Sequence, residues 1–103
     1  MPVASLFFLN KAIALAVSDT VALFTEKPVW IKWPTDILID GDKVAGILIE
    51  SSIQGSRVNS CIAGVGINVN QRRFEGLPKA TSLAIAGGAE LQTEAVFSAL
   101  CVH

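Results

Sequence analysis

The stretch Cys61-Ile62-Ala63-Gly64-Val65-Gly66-Ile67-Asn68-Val69-Asn70 carries the clearest chemical pattern in the sequence. Strand side chains alternate between two faces, and the odd positions Cys61, Ala63, Val65, Ile67 and Val69 are all apolar. The even positions include Gly64, Gly66, Asn68 and Asn70, so the opposite face is bare backbone ending in two carboxamides. Glycine weakens a strand and marks places where a ligand or another backbone comes close. Each carboxamide offers a donor and an acceptor. Such a face could floor a planar heterocycle whose polar edge the amides read; a bulge or close strand–helix packing would use the same glycines. The segment Lys43-Val44-Ala45-Gly46-Ile47-Leu48-Ile49-Glu50 repeats the theme, with Gly46 and Leu48 on one face. If the two strands pair as a hairpin, Gly46 lies near Gly64 and Gly66, Leu48 edges the pocket and Lys43 stands at its mouth. A lysine beside a turn is also read as a solvated surface charge. Upstream, Ile31-Lys32-Trp33-Pro34-Thr35-Asp36 gathers a cation, an aromatic, a turn former and a carboxylate. Lys32 suits a phosphate, and Asp36 could orient a lysine or share a magnesium ion. The plainer alternative is a β-turn in which Asp36 accepts from backbone amides.

These residues need elements to hold them. Leu9, Ile13, Val17, Val21 and Phe24 recur at helical spacing among alanines, which predicts one amphipathic helix from Phe7 to Phe24 lying close against a sheet. Ser5 is its expected N-cap, and Glu26-Lys27-Pro28 ends it. Four strands are expected next: Val29 to Trp33, Ile37 to Ile39, Lys43 to Glu50, and Val58 to Asn70. Pro34-Thr35-Asp36, Asp40-Gly41-Asp42 and Gln54-Gly55-Ser56 separate them, and short turns between chain neighbours imply an antiparallel meander. Beyond Asn70, Gln71 to Leu77 reads as irregular, Pro78 as a breaker and Gly87-Gly88 as a loop. Thr93 is placed to cap a last helix, Glu94 to Cys101, with Phe97, Leu100 and Cys101 inward.

The chain has 103 residues, enough for one domain. Its 51% hydrophobic and 17% charged residues exclude disorder. A net charge of −1 leaves no basic footprint for nucleic acid. So little charge also predicts apolar surface in need of a partner, as in a piece of something larger. Cys61 and Cys101 sit in apolar runs and are expected as buried free thiols in a reducing, cytoplasmic setting. The apolar run Ala12 to Val17 falls short of the ~20 residues of a membrane span, so no membrane partner is expected. No metal-ligand spacing is present. Val69 stands where a dinucleotide fingerprint needs its third glycine, and Ser51-Ser52 lacks a histidine partner, which excludes a Ser–His mechanism within this chain.

In order, Lys32-Trp33-Pro34-Thr35-Asp36, Lys43 to Glu50, Gly64-Val65-Gly66-Ile67-Asn68-Val69-Asn70 and Ala80-Thr81-Ser82-Leu83 resemble the central catalytic region of biotin–protein ligases. The resemblance implies an α+β fold, an antiparallel-rich mixed sheet flanked by helices, as in part of a class II tRNA synthetase core. It implies ATP-dependent formation of biotinyl-5′-adenylate, followed by transfer of biotin to a lysine of a biotin carboxyl carrier protein. By the same resemblance Lys43 is the catalytic contact to the biotin carboxylate and adenylate, and Gly46, Leu48, Gly64 and Gly66 line the biotin pocket. Lys32, Thr35, Asp36 and Asn68 fall on the nucleotide side, with ATP, biotin and Mg2+ as the implied small molecules. Thr35 replaces the family's usual asparagine, losing one donor and some reach. Residues 1–103 are expected to be a partial catalytic domain without the family's arginine- and glycine-rich loop segment and C-terminal β-domain. Little or no activity alone, and self-association through an open sheet edge, follow from that. The alternatives are a lipoate or octanoate ligase-like acyltransferase and a non-catalytic truncated remnant.

Overall fold

The computed structural model describes residues 2, 5–33, 35–72, 74, 79–88 and 90–102. Pro34, Pro78, His103 and most of the stretch from Gln71 to Leu77 lie outside the described residues. Helix α1 spans Ser5–Ala22, strands follow at β1 Val29–Lys32, β2 Asp36–Ile39, β3 Asp42–Gln54 and β4 Arg57–Ile67, and helices close the chain at α2 Leu83–Gly87 and α3 Thr93–Val102. The sheet is a four-stranded antiparallel meander in the order β1-β2-β3-β4, as the turn chemistry implies. At the β2–β3 turn Asp40 has φ 49° and Gly41 φ 89°, and Ile39 pairs with Asp42. Positive φ at both central residues is the geometry that matches the twist of a two-residue hairpin.

One face of the sheet is the core. Ala14, Val17 and Val21 of α1 lie fully buried with Ile37, Ile39, Val44, Ala45 and Ile47, joined by Leu83 and Val96. Most helical stability in proteins comes from packing an apolar face, and burying Val17 and Val21, worth about 1.5–3 kcal/mol each, is what holds α1 in place. By length and composition α1 is apolar enough to cross a membrane, which the short run Ala12 to Val17 did not suggest. Its packing against β1, β2, β3 and α3 accounts for one side of it, while Phe7, Phe8 and Leu15 stay exposed.

Several boundaries differ from the sequence expectation. Ser5 is the first helical residue rather than the cap, its N–H donating to the Pro2 carbonyl at 3.0 Å. Strand β3 runs on to Gln54, and β4 ends at Ile67, leaving Asn68 and Asn70 past its end. A short helix, α2, occupies the stretch before the expected Gly87-Gly88 break, which the sequence left unassigned. Ser82 caps it by accepting from Ile85 N–H at 3.2 Å, and Gly88 closes it in the left-handed region. In α3 the buried residue is Val96, with Leu100 half-buried one turn on, whereas Phe97 and Cys101 face outward. Val96 and Leu100 are four apart and share the stripe that meets α1. Both cysteines are free, Cys61 half-buried and Cys101 exposed, so Cys101 is not the buried thiol its apolar run predicted.

Gly87 ties α2 to the end of α1. A methyl group there would sit 2.7 Å from the Phe24 carbonyl oxygen, so a Gly87→Ala variant must separate two backbones. It is expected to lose about 1–3 kcal/mol of stability in urea unfolding; an unchanged midpoint would show that no such close approach exists.

Candidate active site

The site lies on the sheet face turned away from α1. Cross-strand partners share a face, and one row runs Lys32–Asp36–Gly46–Gly66 across all four strands. Leu48 pairs with Gly64 in the adjoining row. Gly46, Leu48, Gly64 and Gly66 therefore lie together, lining a hollow of about 590 Å³ with Thr35, Asp36 and Lys43. That volume is within the roughly 300–1,000 Å³ of small-molecule pockets. No heavy atom lies within 4 Å of where a Gly66 Cβ would stand. The space above the floor is open because side chains are missing from it.

Lys43 reaches this face through an irregularity. Counted by simple alternation, Lys43 goes with Ala45 and Ile47, which are buried. Ile37 pairs with Ala45 and Leu38 with Lys43, so Val44 is an extra residue in β3. Val44 and Ala45 both turn to the core, and Lys43 emerges beside Gly46. Its Nζ lies 3.2 Å from Asp36 Oδ1, and a Cβ on Gly46 would touch Lys43 Cε and Nζ at 3.5 Å. Asp36 thus orients a lysine, one of the roles its sequence position suggested. The Thr35 hydroxyl donates to the same carboxylate oxygen at 3.3 Å, and the Thr35 carbonyl accepts from Ile47 N–H at 2.8 Å.

Three expected groups are placed differently. Lys32 pairs in register with Asp36 but does not line the hollow. Asn68 does not line it either: its Nδ2 donates to the Thr81 carbonyl at 3.2 Å. Asn70 holds both backbone groups of Leu91, each at 2.8 Å, so it reads no ligand edge. Parity was a poor guide here because the strand ends at Ile67. Sequence reasoning also missed the partner of Lys43 on the β4 side. Lys43 N–H donates to the Lys79 carbonyl and Thr81 N–H to the Lys43 carbonyl, both at 2.8 Å, a parallel bridge about Ala80. The only available signal was the presence of Ala80-Thr81-Ser82-Leu83 among the four matching motifs.

A second, apolar hollow of about 540 Å³ sits among Leu6, Phe7, Asn10, Lys11 and Trp33. It lacks the glycine floor and the lysine–carboxylate pair. Among the described residues no group of three or more acidic, histidine or cysteine side chains could hold a metal ion.

The model of the biotin/lipoate A/B protein ligase family matches residues 2–68. The chain belongs to that family. Similar curated proteins include the bifunctional ligase/repressor BirA of Bacillus subtilis, 38% identical over 89 residues, covering 82% of this chain and 26% of that protein. The biotin–acetyl-CoA-carboxylase ligase of Mycobacterium tuberculosis is 40% identical over 90 residues, covering 84% of this chain and 32% of that one. Among solved structures, apo biotin protein ligase from Aquifex aeolicus superposes with a TM-score of 0.79 at 31% identity, over 97% of this chain and 44% of its own. The same ligase in complex with biotin and ATP gives 0.74 at 32% identity, over 92% and 40%. The chain thus spans about a quarter to a third of these curated relatives and under half of the solved chains. Its kinship within this enzyme family is with biotin ligases, and its α+β architecture is theirs.

The Lys43–Asp36 pair is half exposed, 50% and 27% by side chain, and such pairs contribute about 0–1 kcal/mol. An Asp36→Asn variant is therefore expected to unfold within about 1 kcal/mol of the native chain. A larger loss in thermal or urea unfolding would mark the carboxylate as a structural support instead.

Proposed function

We propose that this family member forms the biotin and adenylate pocket of an ATP-dependent biotin–protein ligase. The observation that carries the reading is one ammonium, Lys43, held by a carboxylate over a hollow floored by three glycines. In the first step a carboxylate oxygen of biotin attacks the α-phosphorus of ATP; that O–P bond forms as the bond to pyrophosphate breaks. Two anions must meet, and a fixed cation between them offsets their repulsion far better in a sheltered site than in water. Lys43 supplies it, donating N–H groups to the carboxylate and then to the adenylate. Asp36 keeps the ammonium aimed while the hollow is empty, and Gly46, Gly64 and Gly66 let a flat ring lie on the backbone beside Leu48. In the second step a carrier lysine amine attacks the acyl carbon, AMP departs and the amine sheds its proton. The acceptor in this reading is a biotin carboxyl carrier protein and the setting is cytoplasmic.

Lys32, Thr35 and Asp36 form the nucleotide side. Among the described residues Asp36 is the sole carboxylate lining the hollow. That suits Mg2+ held mainly by phosphate oxygens and water, as this ion prefers, and it would help neutralise the departing pyrophosphate. Thr35 spends its hydroxyl on Asp36, so it sets the carboxylate rather than reaching a phosphate.

Calorimetric titration of the chain with biotin in the presence of ATP tests the reading. Binding is expected for biotin over lipoate. Loss of a charge-assisted hydrogen bond, about 1.5–3 kcal/mol, should weaken biotin about ten- to a hundredfold in Lys43→Ala. Equal affinity in that variant would remove Lys43 from the site. A Gly66→Val change adds bulk only to the open hollow, so it should abolish binding while keeping the melting temperature. Retained binding would mean the glycine floor is not where the ligand lies.

A further inference from the structure

We propose that the hollow at the start of α1 is a second small-molecule site, one that takes a small aromatic carboxylate carrying an N–H donor. Among the described residues it shares no lining side chain with the glycine-floored hollow, and it does not depend on what binds there. One residue of α1 is of the wrong type for its position. Asn10, Ala14, Val17 and Val21 follow one another at helical spacing, and the last three are fully buried in the core. That stripe calls for an apolar side chain at its first position, where Asn10 stands. Its Oδ1 is buried and, among the described residues, accepts no hydrogen bond. A buried acceptor without a partner is destabilising and rare in folded proteins. A local rule broken with no compensation inside the fold is what functional sites show.

The surroundings define the missing partner. Leu6 and Asn10, and likewise Phe7 and Lys11, are four residues apart, so the four side chains share one surface of the helix. Trp33, the residue after β1, lines the same hollow of about 540 Å³, a size suited to a small molecule. Phe7 and Trp33 are 67% and 50% exposed. Two aromatic walls favour an aromatic ring in the space between, because ring–ring contacts add to plain apolar burial. Phe8 stands edge-on to Phe7 with ring centroids 5.6 Å apart, which steadies that wall. Asn10 Oδ1 accepts only, so the ligand must bring an N–H or O–H. Lys11 is exposed, and among the described residues no carboxylate pairs with it. An anion on the ligand complements it.

Indole-3-acetate combines ring, N–H and carboxylate and serves as the probe. In an NMR titration of the full 103-residue chain, the Trp33 ring and the Asn10 and Lys11 amides are expected to show saturable shifts, with Gly46, Gly64 and Gly66 unmoved. 1-Methylindole-3-acetate lacks the N–H and should bind the native chain about five- to tenfold more weakly than the parent probe. In Asn10→Leu the two probes should bind alike. Lys11→Gln should weaken indole-3-acetate about two- to fivefold and leave the uncharged indole-3-acetamide unaffected. Asn10→Leu removes an unpartnered acceptor from the core stripe, so its melting temperature should hold or rise; a fall would mean that the oxygen has a partner and would overturn the premise. A ring-sized ligand binds at roughly millimolar strength or better, so no saturable shift up to about 5 mM probe overturns the site. Shifts centred on the three glycines would put the probe in the other hollow and overturn it too. So would shifts at Phe7 and Trp33 that follow protein concentration without probe, because a second copy would then cover the aromatic face. Equal affinity of the native chain for the two indole acids overturns the role assigned to Asn10.

Discussion

An extra residue in β3 reconciles two demands of opposite parity, and the site exists because of it. The two-residue turn at Asp40-Gly41 pairs Ile39 with Asp42 and Leu38 with Lys43, which sends Val44 to the core. Continued without interruption, that register would bring Gly46 and Leu48 to the core and turn Ala45, Ile47 and Ile49 out to solvent. Burial of the isoleucine side chains demands the reverse, because a one-residue slip moves a whole apolar set to the wrong face. Val44 absorbs the conflict as a bulge. Both Val44 and Ala45 are buried, Ile47 follows them, and Lys43 is left on the same face as Gly46.

The two faces of the sheet consequently do different work. On one, valines and isoleucines pack under α1 and make the fold stable. On the other, glycines give up strand stability and leave open volume beside an ammonium whose neighbours are a carboxylate and bare backbone. The polar groups that hold this arrangement are mostly backbone groups, and the segment around Ala80 supplies them from far along the chain. That is the physical link between two motifs separated in sequence: the later one completes the hydrogen bonding of the strand end that bears Lys43.

Much of this was legible in the residues. The helix, the order and direction of the strands, and the grouping of Gly46, Leu48, Gly64 and Gly66 followed from apolar spacing and turn chemistry. The misreadings share one cause. Asn68 and Asn70 were assigned a face by extending strand alternation past Ile67, and Phe97 and Cys101 were turned inward by choosing the wrong stripe of a short helix. Helix α2 was hidden because its five residues are too few for a periodic signal. In each case local pattern had no information about which neighbour would arrive to satisfy a backbone group or cover a side chain.

The amino-acid order alone determined which residue types face each other in the β3–β4 hairpin, since period-two alternation and glycine turn preferences are local properties. It also determined that one face of that hairpin would be apolar and that Gly46, Gly64 and Gly66 would leave one end of the other bare. Only the tertiary structure decided that Lys43 joins the bare face, that Asp36 holds it, and that Asn68 serves the backbone of Thr81. A bulge and a parallel bridge are settled by competition between distant partners for the same core space and the same hydrogen-bonding groups, and that competition has no signature in any single stretch of chain.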